Sequence, residues 1–218
     1  MYVSFAIYCE GESDFAYLSV LIPKVINHLI LKHGTRNVDV PEEPTVRLGR
    51  SKRSVEDVAK EACNMQSSFQ ILFIHADTGG TALAANIASR SSSYCERVFA
   101  LCQWPKEQCV IISPKHEIEA WVLSDFSAIS QSLGYQGSAS SLRLPTAPAE
   151  IERIRDPKDL LNTAIKLARG RRRKDAATAL YPSIAGRQNI DSLRAMSSFS
   201  KFEEKLKTAL AHIRCCSF

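Results

Sequence analysis

VSFAIYCEGESD, residues Val3 to Asp14, carries the strongest structural pattern in the sequence. Its first part, Val3 to Cys9, is short, apolar and rich in β-branched and aromatic residues, which is typical of a buried strand. Its second part, Glu10 to Asp14, is acidic and contains a glycine, which is typical of a turn that leads into a helix. The segment therefore predicts a strand, a tight turn and a helix in immediate succession.

The helix after this turn is expected to begin at Asp14 or Phe15, with Ser13 as its cap, and to run toward Lys32. Pro23 lies within this stretch. Because proline removes a backbone donor and clashes with the preceding turn, the sequence predicts either a kink at Pro23 or the start of a second helix there.

Further apolar runs resemble the first one. QILFI (Gln70 to Ile74) and QCVII (Gln108 to Ile112) predict buried strands, and Thr45 to Leu48 predicts a short one. Helical patterns lie between them, over about Val55 to Met65 and Thr81 to Leu101. Strands that alternate with helices and are apolar throughout favour a mostly parallel sheet covered by helices on both faces. The predicted fold class is therefore α/β and Rossmann-like.

The second half of the chain has a different pattern. Residues 134–148 are rich in Ser, Gly, Ala and Pro, which is typical of a loop. Helical patterns dominate from Asp156 onward and end in an amphipathic helix over Phe199 to Ile213. The predicted organisation is an α/β domain over residues 1–130, a loop or linker over 131–150, and a helical extension over 151–218 that packs on the first domain.

Composition limits the range of functions. The chain has 218 residues, a net charge of +5 and a pI of about 8.8, so binding to a polyanion is allowed but not required. Its most apolar run, Leu18 to Leu31, is interrupted by Pro23 and polar residues and is too short for a membrane span. The seven cysteines include no CxxC pair, and no secretory signal precedes the first strand. These features predict a cytoplasmic protein with mostly buried, free thiols.

Acidic residues follow each of the three main predicted strands. Glu10 follows the first, Asp77 the second, and Glu117 and Glu119 the third. Ligands bind at the carboxyl ends of parallel strands, so Glu10, Asp77 and one of Glu117 or Glu119 are expected to meet at one edge of the sheet, with Asp14 as a further candidate ligand. Converging carboxylates repel each other unless a cation neutralises them, and oxygen ligands suit Mg²⁺ or Mn²⁺. For each acid alone, the alternative is a helix cap or a solvated turn.

Small and basic residues near these acids suit a phosphate group. A glycine has no Cβ, so a backbone or a phosphate can approach it closely. Lys115 is a candidate for stabilising the charge that builds on a reacting phosphate. Basic clusters contact nucleic-acid backbones without reading sequence, and the alternative is a solvated helix start. The predicted phosphate-binding residues are Gly11, Gly79, Gly80, Arg171, Arg172, Arg173 and Lys174.

Four segments in this order resemble a known bacterial family. They are YCEGESD (Tyr8 to Asp14), HADTGG (His75 to Gly80), ISPKHEIEAWVLSD (Ile112 to Asp125) and IDSLRAMSSFSKFEEKL (Ile190 to Leu206). A Glu-Gly-x-x-Asp motif after the first strand and an acid after a later one is similar to the TOPRIM fold of topoisomerases, bacterial primases and overcoming-lysogenization-defect nucleases. Within that fold, the chain resembles the bacterial family called domain of unknown function 4276.

The resemblance implies a metal-dependent nuclease that cleaves phosphodiester bonds, with Glu10 and Asp77 at the matching metal positions. It also implies a setting in bacterial anti-phage defence, often beside an ATPase partner. We accordingly expect a cytoplasmic endonuclease that uses Mg²⁺ or Mn²⁺ and cleaves DNA in preference to RNA. A homo-oligomer is compatible with this expectation, and a membrane location is not.

One position departs from the TOPRIM pattern. The second motif usually reads Asp-x-Asp, and here it reads His75-Ala76-Asp77. Histidine binds Mn²⁺ or acts as a base, but it replaces a hard oxygen ligand to Mg²⁺ poorly. Asp14 or Glu12 could compensate. The alternative function is therefore a catalytically weakened subunit that docks onto an ATPase or binds nucleic acid without cleaving it.

Overall fold

Four strands form one parallel sheet. The computed structural model describes residues 1–49, 54–76, 84–170 and 177–218. Within these residues the strands are β1 (Phe5–Cys9), β2 (Val46–Leu48), β3 (Ile71–His75) and β4 (Cys109–Ile111), and they lie in the order β2-β1-β3-β4. Each neighbouring pair is parallel. The predicted α/β, Rossmann-like class is therefore confirmed.

Helices connect the strands and make up most of the second half of the described chain. They are α1 (Glu12–His33), α2 (Val55–Asn64), α3 (Ala84–Cys102), α4 (Glu119–Val122), α5 (Phe126–Leu133), α6 (Pro148–Ile151), α7 (Pro157–Arg169), α8 (Tyr181–Arg187), α9 (Ile190–Arg194) and α10 (Ser197–His212). One helix crosses from each strand to the next as far as β4, which is the usual way to connect parallel strands.

The sheet is buried on both faces. Phe5, Ile7 and Phe73 point into an apolar cluster formed with α1 and with α4 to α10. Ala6 and Tyr8 point the other way, into a second cluster formed with α2 and α3. Successive strand side chains point to opposite faces. Burial of both faces therefore explains why the strand sequences are apolar throughout instead of alternating.

Helix α1 is the central helix of the first cluster. It is continuous, so Pro23 neither ends it nor starts a second helix. Gly11 is its N-cap residue and no side chain caps it, so the prediction that Ser13 is the cap was wrong. By length and composition α1 could span a membrane, which the interrupted run Leu18 to Leu31 had not suggested. Nearly half of its most apolar window is buried, however, which is also typical of a core helix in a soluble protein.

The segment after β4 forms less helix than the sequence predicted. Helix α4 begins at Glu119, not at Glu117. His116 has a φ of 69°, a backbone conformation that a right-handed helix cannot contain. Glu117 therefore lies in the connection that leads into α4, and Glu119 lies in the first turn of the helix.

The last helix packs against the sheet. Phe202 of α10 contacts Phe73 of β3, with ring centroids 6.3 Å apart. Trp121 of α4 lies beside Phe199 and Phe202, at centroid distances of 5.1 and 5.5 Å. Leu144, within the predicted linker 131–150, belongs to the same cluster. Residues from the beginning, middle and end of the chain thus share one core, and the domain boundaries at 130 and 150 stay a prediction.

Two disulfides correct the interpretation of the cysteines as mostly free thiols. Cys63 of α2 is bonded to Cys102 at the end of α3, and Cys95 of α3 is bonded to Cys109 of β4. Cys9, Cys215 and Cys216 are free and buried. The paired residues lie 39 and 14 positions apart in the sequence. At such separations the spacing alone indicates no particular pairing.

We expect the purified protein, handled without reductant, to show three reactive thiols when denatured and seven after reduction, because four cysteines are bonded in pairs. The Cys63→Ser and Cys102→Ser double variant is expected to lose about 2–4 kcal/mol of unfolding free energy, since the bond restricts the unfolded chain. Thiol titration and urea unfolding measure the two effects. Seven thiols before reduction would contradict the pairing.

Candidate active site

The direction of the connections reverses between β1 and β3. The chain leaves β1 toward β2 on one side, and leaves β3 toward β4 on the other. In open parallel sheets, such a reversal of direction leaves a crevice at the carboxyl ends of the two strands, where ligands bind. Cys9 and His75, the last residues of β1 and β3, are paired in register. Glu10 and Gly11 therefore begin their turn beside His75.

Glu10 is a partly buried acid with a basic neighbour. Its side chain is 8% exposed, and its Oε1 atom lies 3.6 Å from Nη2 of Arg90 in α3. Arg90 was not among the predicted site residues. It belongs to a helix and to no recognisable motif, so only the folded structure brings it to the end of β1. Its side chain is 42% exposed and remains accessible to an anion.

Gly11 makes room for the carboxylate of Asp14. A Cβ atom added at Gly11 would lie 2.6 Å from Oδ2 of Asp14, closer than real Cβ contacts allow. Asp14 is in the first turn of α1 and is buried. The position of a carboxylate near a helix N-terminus is favourable because the helix dipole is positive there. Gly11, predicted as a phosphate contact, thus has a clear structural role in positioning Asp14.

His75 is held in a defined orientation. Its Nδ1 atom lies 3.0 Å from the carbonyl oxygen of Ile112, just after β4. Its Nε2 atom lies 3.7 Å from Oδ2 of Asp14. The side chain of His75 is 4% exposed, and Nε2 has no hydrogen-bond partner among the residues that the structure describes. A buried imidazole nitrogen thus points at a buried carboxylate, at a distance too long for a hydrogen bond.

Glu119 forms a second buried acidic position. It accepts a hydrogen bond of 2.7 Å from the hydroxyl of Tyr181, the first residue of α8. Lys158 of α7 approaches Oε1 of Glu119 to 4.0 Å. Neither Tyr181 nor Lys158 was among the predicted site residues, because each lies more than 30 residues from the acidic motifs in the sequence. Only the packing of the C-terminal helices brings them to this edge.

Glu119 is hydrogen-bonded to Tyr181, and Asp14 and Glu117 act on Tyr181 electrostatically. Burial raises the pKa of the Tyr181 hydroxyl well above its usual value, and the carboxylates of Glu119, Asp14 and Glu117 raise it further. Each of these acids therefore lies close enough to Tyr181 to act on its charge. Asp14 follows β1 in the sequence, and Glu117 and Glu119 follow β4, and their convergence on a metal ion stays a prediction. Tyr181 remains protonated and acts as a hydrogen-bond donor.

The other predicted site residues lie after β4 or outside the described part of the chain. Lys115 is exposed in the connection between β4 and α4, and Glu117 has one buried carboxylate oxygen. Within residues 1–49, 54–76, 84–170 and 177–218, no group of three or more His, Cys, Asp or Glu side chains is arranged to hold a metal ion. The remaining predicted residues lie outside the described part of the chain: Asp77, Gly79, Gly80, Arg171, Arg172, Arg173 and Lys174.

A buried imidazole and a buried carboxylate lie close together at the carboxyl ends of β1 and β3. His75 and Asp14 present an unpartnered nitrogen and a carboxylate oxygen to one point, and two further acids lie nearby. Arg90 and Lys158 offer positive charge at the rim. The chain has no significant match among protein-family models, curated proteins or solved structures. Its function must therefore be argued from these side chains.

Proposed function

We propose that the chain is a divalent-metal-dependent nuclease that hydrolyses phosphodiester bonds in nucleic acid. The observation that carries the proposal is the meeting of Asp14 and His75 beside the crevice between β1 and β3. A buried histidine nitrogen without a partner, next to a carboxylate, is a good fit for a cation. Glu10, Asp14 and His75 are the described residues proposed to hold it, together with Asp77.

The chain's own residues have separate roles in this proposal. A bound Mg²⁺ or Mn²⁺ would polarise the phosphate and lower the pKa of a bound water. Arg90 and Lys158 extend toward solvent from Glu10 and Glu119, where they can contact phosphate oxygens. Tyr181 orients Glu119 through its 2.7 Å hydrogen bond. Lys115 is exposed and is proposed to approach the phosphate from the same side.

The proposal extends to the cellular setting implied by the family resemblance. We place the protein in the cytoplasm of a bacterium, in anti-phage defence, with DNA as the preferred substrate over RNA. An ATPase partner and assembly of more than one copy are compatible with this role. In a reducing cytoplasm the four paired cysteines would be held as thiols. Thiol trapping in intact cells would therefore test the location independently of activity.

The decisive assay is cleavage of labelled plasmid DNA and single-stranded RNA with Mg²⁺, with Mn²⁺ and with a chelator. We expect cleavage that requires a divalent ion and that falls on the order of 100-fold in Glu10→Gln, since metal binding supplies several kcal/mol of transition-state stabilisation. Glu204→Gln is the matched control, because Glu204 is exposed on α10 and pairs with Lys207. It is expected to cleave normally.

Absence of cleavage under all these conditions would count against the enzyme. Stable assembly with an ATPase that is unchanged by Glu10→Gln would then favour the scaffold function. The observation that keeps this second function open is the histidine at position 75, where the TOPRIM pattern has an acid.

A further inference from the structure

We infer that Nε2 of His75 is a direct metal ligand, paired with Oδ2 of Asp14, and that it biases the site toward transition-metal ions over Mg²⁺. This inference rests on the proposed function in one respect, namely that the crevice binds a divalent ion. It goes further because it assigns the ligand atoms and the class of ion.

The hydrogen bond at Nδ1 sets the tautomer of His75. The carbonyl oxygen of Ile112, 3.0 Å away, can only accept, so Nδ1 carries the proton and donates it. In the neutral ring, Nε2 then has a free lone pair. Histidines that bind metals almost always donate their other ring N–H to a carbonyl or carboxylate in this way. His75 is thus oriented as a ligand before any ion arrives.

The distance between Nε2 of His75 and Oδ2 of Asp14 distinguishes shared binding of a metal ion from a direct ion pair. A charged histidine that donates to a carboxylate lies about 2.7–2.9 Å from it. The observed separation is 3.7 Å. Two ligands of one ion, each about 2.1 Å from it, are roughly 3–3.6 Å apart for bond angles from octahedral to trigonal. The geometry is therefore closer to a shared ion than to a hydrogen bond.

Both side chains that make this contact are largely shielded from solvent. The side chains of His75 and Asp14 are 4% and 12% exposed. A buried acceptor nitrogen that faces a buried carboxylate is unfavourable unless something compensates both. A divalent ion compensates both at once. His75 and Asp14 already lie at this spacing, and Glu10 and Asp77 are the other residues proposed above to bind the ion.

Ligand type gives the expected selectivity. Mg²⁺ strongly prefers oxygen and keeps its waters. Imidazole suits Mn²⁺ less than it suits Co²⁺ or Zn²⁺, but all three accept it, and affinity rises along the series from Mn²⁺ to Co²⁺. A carboxylate at position 75 would serve Mg²⁺ better. His75→Asp should therefore shift the preference back toward Mg²⁺.

Pulsed electron paramagnetic resonance of the protein with one equivalent of Mn²⁺ tests the inference directly. We expect modulation from a coordinated ¹⁴N nucleus, replaced by a ¹⁵N signal when the protein is labelled with ¹⁵N-histidine. Neither measurement needs a variant that might misfold. The signal should be absent in His75→Asp and retained in His212→Asn, where the replaced histidine is exposed at the end of α10.

Calorimetric titration supplies the second measurement. The ratio of Mn²⁺ to Mg²⁺ affinity is expected to fall about tenfold in His75→Asp, within the range seen for changes around metal sites. Mn²⁺ binding without nitrogen coupling, in a protein that still cleaves nucleic acid, would overturn the inference and leave the proposed function standing. Absence of any divalent-ion binding would overturn both.

Discussion

Asp14→Asn is expected to lower metal-dependent cleavage by on the order of 100-fold or more while the protein stays folded. The substitution keeps the size of the side chain and removes its charge. Asp14 faces Nε2 of His75, and its carboxylate also raises the pKa of Tyr181. Asp14 therefore interacts both with His75 and with the side chain that binds Glu119. Loss of a charged ligand removes several kcal/mol of stabilisation from a developing transition state. Initial cleavage rates at saturating Mn²⁺ measure the effect.

Asp57→Asn is the matched control for this prediction. Asp57 is also an aspartate in the first turn of a helix, but it is exposed on α2. Both variants lose a favourable interaction with a helix dipole, worth about 0.3–1 kcal/mol. Only Asp14→Asn should lose activity. Equal cleavage rates for the two variants would show that Asp14 is not part of the active site.

Trp121→Ala is expected to lower the free energy of unfolding by about 3–5 kcal/mol, the usual cost of deleting a buried aromatic side chain. Trp121 is fully buried and packs against Phe199 and Phe202. Its Nε1–H donates to Oγ of Ser198, at 2.9 Å. Complete burial is typical of a core side chain and leaves no face of the ring for a nucleic-acid base. Chemical denaturation followed by circular dichroism measures the loss.

Two further variants test whether the loss comes from the buried volume of Trp121. Trp121→Phe keeps most of the apolar volume and should lose less stability than Trp121→Ala. Leu31→Ala, at a position that is 87% exposed on α1, should change the unfolding free energy by less than about 0.5 kcal/mol. A loss below about 1 kcal/mol in Trp121→Ala would mean that the contact between α4 and α10 contributes little.

The sequence predicted the strands well because burial leaves a strong pattern. Runs such as Phe5–Cys9 and Ile71–His75 are apolar at every position, which only a sheet covered on both faces requires. Helix starts were harder to predict. Ser54 caps α2 as its pattern indicates, but Gly11 stands where Ser13 was expected at α1. Several residues near a helix start are able to cap it, and the packing of the folded chain decides which one does.

The candidate site was predictable only where it follows the strands. Glu10, Asp14 and Glu119 lie next to recognisable motifs, whereas Arg90 and Tyr181 come from helices without any motif. The hydrogen bond that orients His75 is made by a backbone carbonyl, which every residue carries. No pattern of residue types can therefore predict this hydrogen bond. The same holds for the disulfides, because helix packing sets which cysteines meet.

The shared core has a consequence for synthesis of the chain. The side of the sheet that bears Phe73 is completed by Phe202, which lies in the last helix. A ribosome makes β1 to β4 first, while α10 is still inside the exit tunnel. The part of that apolar surface around Phe73 therefore stays uncovered until α10 emerges, and it is vulnerable to aggregation during that time. Nascent chains stalled before α10 should accordingly bind chaperones, and released full-length chains should not.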